Sequence, residues 1–186
     1  KIFNPLKHNF FFNNTGIFIK FFSNIDIQNI PNINEKNFVK HLHQSRYDYA
    51  FSFCCNQIFK KKTLKCFKKV INYHSSILPF YRGLNSTLWS IFFKEKFTGY
   101  TFHYIGSKID NGKIILKNKF KIDYQNSYKK IEMYKTILAK DSLSKVLNLV
   151  LKKFKGNSQS KKGSYYGKKD IKRITTHVLQ EMKNTG

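Results

Sequence analysis

Acidic residues are scarce in this chain of 186: 10 Asp and Glu stand against 35 Lys and Arg, for a formal net charge of +25. Such an excess ordinarily points to a polyanionic partner, because clustered cations release counterions from phosphates. Arginine, the residue suited to bidentate phosphate recognition, is nearly missing from that excess. The lysines occur in short, scattered clusters: Lys60-Lys61-Lys62, Lys68-Lys69, Lys152-Lys153, Lys161-Lys162 and Lys168-Lys169. With 19 Phe and 11 Tyr beside abundant Lys, Asn and Ile, the composition is also what an AT-rich coding sequence favours whatever the function. Charge alone therefore does not select a nucleic-acid partner, although a diffuse positive field suits an anionic small substrate.

Cysteine is almost absent. Cys54, Cys55 and Cys66 are odd in number and lack CxxC spacing, which argues against a disulfide framework and a thiolate metal site, so they are expected as reduced core residues. No uninterrupted run of about 18 apolar residues occurs, and the aromatic stretch from Phe10 to Phe22 is broken by Asn13, Asn14 and Lys20. A membrane span is not expected, and the pattern fits a cytoplasmic protein. The chain opens on Lys1, and its first segment lacks the Gly-rich turn that closes the first strand of a nucleotide-binding α/β unit. Part of the N-terminus, with that strand, is expected to be missing. The length fits one domain, read as a body over 1–154 and an extended trailer over 155–186.

Along the chain, Ile17 to Phe22 reads as a short strand, and Ile25 to Ile33 as a loop or second short strand. Phe38, Val39 and Leu42 form an amphipathic stripe within a helix from Asn34 to Gln44. Tyr49 to Cys55 is a continuous apolar run of the kind buried on both faces of a parallel sheet. A helix over Gln57 to Cys66 and a strand over Val70 to Tyr73 complete a βαβ crossover, which is right-handed by rule. Helices are expected again over Leu84 to Lys94, capped by Asn85 or Ser86, and over Tyr128 to Phe154, capped by Ser127. Between them lie strands Thr98 to Ile105 and Lys113 to Ile122. Lys155 to Lys169, rich in Gly, Ser and Lys, reads as an exposed tail. The fold class is α/β: a Rossmann-like, mostly parallel sheet with flanking helices.

One stretch concentrates chemistry: Asn72-Tyr73-His74-Ser75-Ser76-Ile77-Leu78-Pro79-Phe80-Tyr81-Arg82-Gly83, followed by Ile109-Asp110-Asn111-Gly112. Asn72 and His74, two apart in an extended strand, leave the same face and converge on one point. They stand at the carboxyl end of a sheet strand, where open α/β sheets bind ligands. Asp110, on a loop between two strands, is placed to orient the imidazole. Each has a plainer reading: Asn72 as a partner for strand-end backbone, His74 as a surface histidine, Asp110 as a turn former. His103, in Phe102-His103-Tyr104, reads simply as a strand residue.

The ordered set Asn72-x-His74, Ser76-Ile77-Leu78-Pro79, Tyr81-Arg82-Gly83 and Asp110-Asn111-Gly112 resembles the 10-formyltetrahydrofolate-dependent formyltransferase family. The likeness runs from about Tyr49 to Ile122 and resumes in a trailer from Gln159 through Tyr165 and Tyr166 to Arg173-Ile174. Ser75 and Ile77 depart from the family's usual residues.

The resemblance implies 10-formyltetrahydrofolate as formyl donor and a primary amine as acceptor, with Asn72, His74 and Asp110 catalytic and no metal. Formyl transfer passes through a tetrahedral carbon bearing an oxyanion, so Asn72 would donate to that oxygen and His74 would move the proton. The folate would lie against Cys55, Asn56, Gln57, Ile58 and Phe59, against Ser76, Ile77, Leu78 and Pro79, and against Ile105 and Ile109. Tyr81, Arg82 and Gly83 would meet the acceptor. The spacing from Gly83 to Trp89 and on to Thr98-Gly99 is similar to the methionyl-tRNA and sugar-amine branches. Enzymes of the tRNA branch carry a further C-terminal barrel, so a nucleotide-linked amino sugar is the leading acceptor and tRNA the alternative. A non-catalytic, RNA-binding relative is the remaining reading.

Overall fold

The computed structural model describes residues 9–11, 26–28, 30, 32–55, 57–171 and 174. The strand expected over Ile17 to Phe22 lies outside them. Contacts divide the chain into two compact units, the first ending at Val70 and the second starting at Ile71.

In the first unit, β1 (Asn9–Phe11) and β2 (Asp26–Gln28) pair in parallel. Helix α1 (Lys36–Ser45) starts where Glu35 accepts from the backbone N–H groups of Asn37 and Phe38, and it stops at Arg46 in a left-handed conformation. Its stripe buries Leu42. After β3 (Tyr49–Phe53) comes α2, confined to Lys61–Leu64 and shorter than the expected helix. Side chains fix the residues before it: Asn34 donates to the Ile58 carbonyl and accepts from Lys60 N–H, and the buried Thr63 hydroxyl reaches Asn34 Oδ1 at 2.8 Å. Strand β3 is half-buried apart from Ser52, not buried on both faces. Cys54 is exposed and Cys55 partly so, which leaves Cys66 as the buried cysteine.

Strand β4 (Lys69–His74) runs into the second unit and pairs antiparallel with β6 (Phe97–Tyr104), which pairs antiparallel with β7 (Ile114–Lys121). Strand β6 is buried along Thr98–Tyr104, on both faces. Between β4 and β6 lie β5 (Arg82–Gly83) and α3 (Ser86–Phe92). Asn85 sits at the α3 N-cap with a left-handed backbone and no capping bond, while Ser127 caps α4 (Tyr128–Leu151) by accepting from Lys130 N–H. A core of Leu88, Trp89, Ile91, Ile122, Ile131 and Ile174 ties α3, α4 and the end of β7 together.

The stretch after α4 is built into this unit. Asn157 bridges to Ile114, and β8 (Tyr165–Tyr166) pairs in parallel with β5, before α5 (Lys168–Ile171). Tyr166 stacks on Trp89 with ring centroids 4.0 Å apart. Polar composition hid this, because the tail is held mainly through its backbone and a few side chains. No helix among the described residues is long and apolar enough to cross a membrane.

Candidate active site

Strand β4 delivers Asn72 and His74 to the same side, and the turn that follows folds back over them. His74 is 7 % exposed, with Nε2 2.8 Å from the Tyr81 carbonyl and Nδ1 3.5 Å from Asp110 Oδ2. Asn72 Nδ2 lies 3.4 Å from Asp110 Oδ1. The Gly83 N–H donates to Asp110 Oδ2 at 2.8 Å. The carboxylate thus touches the amide, the imidazole and the backbone of β5 at once. Tyr81, Gly83 and Asp110 all have positive φ, at 58°, 93° and 47°. For the two non-glycines this is a strained backbone of the kind that surrounding bonds must hold in place. A Cβ on Gly83 would fall 2.2 Å from the Tyr166 carbonyl, and one on Gly112 1.6 Å from the Tyr104 carbonyl. Both glycines are therefore needed for the close approach that seats Asp110.

Burial pushes the His74 imidazole below its ordinary value, against the pull of Asp110 and the Tyr81 carbonyl; His103 and Lys135 push it the same way as burial. For Asp110 burial pulls upward, but His103, His74 and the Gly83 N–H outweigh it and leave the carboxyl below its usual range. The site at neutral pH is thus an ionised carboxylate beside an uncharged imidazole. Lys135 is fully buried behind His74: Nζ donates to the Ser75 carbonyl at 2.8 Å and to the Thr87 hydroxyl, with Glu132 at 3.7 Å, and burial lowers it to about 8.

Two residues to which sequence reading gave no role at the site complete the arrangement. His103, 1 % exposed, sits beside the cluster, with Nε2 3.2 Å from Asn72 Nδ2 and 3.4 Å from Asp110 Oδ1. In an aromatic strand it carries no sequence signal; only its register opposite Asn72 on β4 betrays it. Gln159 donates to the carbonyls of Asp110 and Gly112, both at 2.8 Å, and accepts from Arg82 Nε and Nη2 at 3.1 and 2.9 Å. Arg82, expected to meet the acceptor, has this amide as its partner, while the Tyr81 hydroxyl donates to Glu95.

The turn over Ser76 to Pro79 is held by its own bonds and by side chains of β6 and β7. The Ser76 hydroxyl donates to the Phe80 carbonyl, Thr101 bridges the Ser76 carbonyl and the Leu78 N–H, and Lys117 donates to the Leu78 carbonyl. Leu78 is fully buried, and the Leu78-Pro79 peptide is cis. Ile77 and Ile105 are half-buried and Ile109 is exposed next to Asp110. Cys55, Gln57, Ile58 and Phe59 belong to the first unit, where the Gln57 side chain accepts from Ile33 N–H and its carbonyl from the Cys55 thiol. Asn56 lies outside the described residues. The second unit thus gathers Asn72, His74, Asp110 and Gly83 into contact.

Known proteins share both the sequence and the fold. The formyl transferase family model matches residues 13–147. The bifunctional polymyxin resistance protein ArnA of Wigglesworthia glossinidia brevipalpis is 33% identical over 122 residues, covering 65% of this chain and 19% of that protein. The methionyl-tRNA formyltransferase of Finegoldia magna is 28% identical over 125 residues, 67% of this chain and 40% of the enzyme. The chain thus spans less than half the length of these curated relatives. The solved formyltransferase PseJ from Anoxybacillus kamchatkensis, in complex with UDP-4,6-dideoxy-4-formamido-L-AltNAc and tetrahydrofolate, superposes with a TM-score of 0.70 at 24% identity, over 85% of this chain and 86% of that one. That likeness shows the Rossmann-like α/β fold, with β4, β6 and β7 as its antiparallel portion. Because the family model covers well over half of it, the chain belongs to the formyl transferase family.

Proposed function

We propose that this chain transfers a formyl group from 10-formyltetrahydrofolate to a primary amine. The observation that carries the reading is Asp110, held by the Gly83 N–H between His74 Nδ1 and Asn72 Nδ2 at the end of β4. An amide, an uncharged imidazole and a carboxylate suit acyl transfer to nitrogen, which needs a base, an oxyanion donor and no covalent nucleophile. This donor set fits a formyl-folate, whose role when bound is to present an activated formyl carbon to the amine.

An uncharged His74 has one ring proton and two acceptors to choose between, the Tyr81 carbonyl and Asp110. With the proton on Nε2 the ring is tied to Tyr81. With it on Nδ1, directed at Asp110, the Nε2 lone pair is free to take the amine proton, and the carboxylate steadies the resulting imidazolium. That form requires the incoming amine to take the place of the Tyr81 carbonyl at Nε2. Asn72 donates its amide N–H to the formyl oxygen as negative charge develops there, and the His74 imidazolium returns its proton to the departing folate nitrogen as the bond from that nitrogen to the formyl carbon breaks.

For the acceptor we infer a nucleotide-linked amino sugar, supported by the fold shared with PseJ, whose complex holds a formamido nucleotide sugar. The similarity to a methionyl-tRNA formyltransferase carries the second reading, an aminoacylated tRNA. Consumption of 10-formyltetrahydrofolate is measured with amino-sugar nucleotides and with methionyl initiator tRNA. Turnover is expected with the sugars and is lost in Asn72→Ala and His74→Ala; turnover with tRNA alone overturns the sugar reading. Absence of both turnover and folate binding overturns formyl transfer itself.

A further inference from the structure

Two buried groups compete for the Asn72 amide. Asp110 Oδ1 is a carboxylate oxygen and can only accept, so the Nδ2 end of the amide faces the cluster. The same Nδ2 is 3.2 Å from His103 Nε2. On the far side of the ring, His103 Nδ1 is 2.8 Å from the Tyr104 carbonyl, which also can only accept. Nδ1 therefore bears the ring hydrogen, and Nε2 presents its lone pair to Asn72. The ring is held edge-on to His74, with centroids 6.4 Å apart at 82°, and is almost fully buried, so solvent does not supply a substitute partner. In the uncharged ring the Asn72 amide lies against both Nε2 and the carboxylate oxygen; a proton added at Nε2 would be directed at Asp110 Oδ1, 3.4 Å away, and it is in that form that His103 holds the carboxyl low.

We propose that His103 is a positioning residue of this site, accepting the Asn72 N–H through Nε2 and so fixing which end of the amide meets the acceptor. This rests on the formyl-transfer reading above for its consequence, though not for its geometry. With Nδ2 turned inward, Oδ1 has no partner among the described residues and is the end offered to an incoming amine, whose N–H it can accept. Donation to the formyl oxygen then requires Asn72 to give up one of its two inward partners. His103 thus holds Asn72 in the amine-binding orientation, and its lone pair is what the developing oxyanion must outcompete. The groups facing the ring are Asp110 from the β6–β7 loop, and Asn72 and His74 from β4.

The test starts with the unaltered protein labelled with 15N. His103 ring nitrogens, identified by their loss in His103→Gln, are expected to show Nδ1 as the protonated nitrogen and Nε2 as the unprotonated one. The Asn72 side-chain NH2 signals, identified by their loss in Asn72→Asp, are expected to move in His103→Gln and in His103→Phe. A proton on Nε2 in place of Nδ1, or Asn72 signals unmoved in a folded variant, overturns the proposal. In turnover, His103→Gln is expected to raise KM for the amine about tenfold, the effect of one hydrogen bond, with folate affinity unchanged. A variant whose amine KM matches the unaltered protein overturns it as well. If the unaltered protein transfers formyl to no amine, the functional reading fails, while the resonance measurements still decide the role of His103.

Discussion

At the scale of single residues the site is a balance between burial and a partner charge. His74 is buried enough that its charged form is disfavoured, and Asp110 is the largest influence opposing that. Removing the carboxylate charge with Asp110→Asn leaves burial less opposed, so the imidazole value falls further. As the base must be unprotonated to accept the amine proton, the acid limb of kcat/KM against pH is expected to move to lower pH. The maximal rate is expected to fall by about 100-fold or more, since the imidazolium formed in transfer loses its counter-charge. A limb that stays in place would assign it to a group other than His74. Acid stability follows the same sign. A histidine whose folded value is depressed binds its proton first in the unfolded chain, so its contribution drains away as pH falls below the ordinary histidine value of 6.5. Asp110 adds a second loss below 3.8, where the unfolded carboxyl protonates first.

At the scale of elements, what was legible in the sequence had a local signal. Asn72 and His74 were readable because a period of two puts both on one face, and the hairpin strands around Asp110 because turn residues separate two β-rich runs. Glu35 and Ser127 mark helix starts by the same local chemistry. The tail after α4 is exposed along most of its length, as expected, but its attachments were not legible because they are long-range: Arg82 N–H to the Ser164 carbonyl, Tyr81 N–H to the Ser164 hydroxyl, and Leu84 N–H to the Tyr166 carbonyl. Its composition says nothing of a strand pairing with β5. Gln159 is the side chain through which this tail reaches the Asp110 loop. Gln159→Ala leaves the carbonyls of Asp110 and Gly112 and the Arg82 guanidinium short of a partner. A stability loss of about 1–3 kcal/mol is expected from denaturant unfolding, by the cost of unsatisfied polar groups. The rate kcat should fall as well, because the loop that carries Asp110 loosens. An unchanged kcat beside a lowered stability would mean that the tail closes the unit without positioning the carboxylate.

At the scale of the whole molecule the dominant quantity is charge. A formal +25 on 186 residues is an unfavourable self-energy that few local pairs offset. Among the described residues, Lys68 pairs with Asp48 at 2.8 Å, both largely exposed, and the buried Lys135 lies 3.7 Å from Glu132. Exposed pairs of the first kind contribute about 0–1 kcal/mol, and the Asp110 contacts with His74 and His103 are too buried for salt to reach. Repulsion among many separated lysines, in contrast, extends over tens of ångströms in dilute buffer and is cut to about 10 Å at 0.1 M ionic strength. Adding a salt with no specific affinity for the protein should therefore relieve far more repulsion than it costs in attraction. The thermal midpoint is expected to rise steadily between about 0.01 and 0.3 M sodium chloride, the range in which screening changes most. Scanning calorimetry or a fluorescence melt over that series checks it, with no acceptor or folate present. A midpoint that falls with salt would mean that attraction between specific pairs, and not the net charge, governs the electrostatics of this fold.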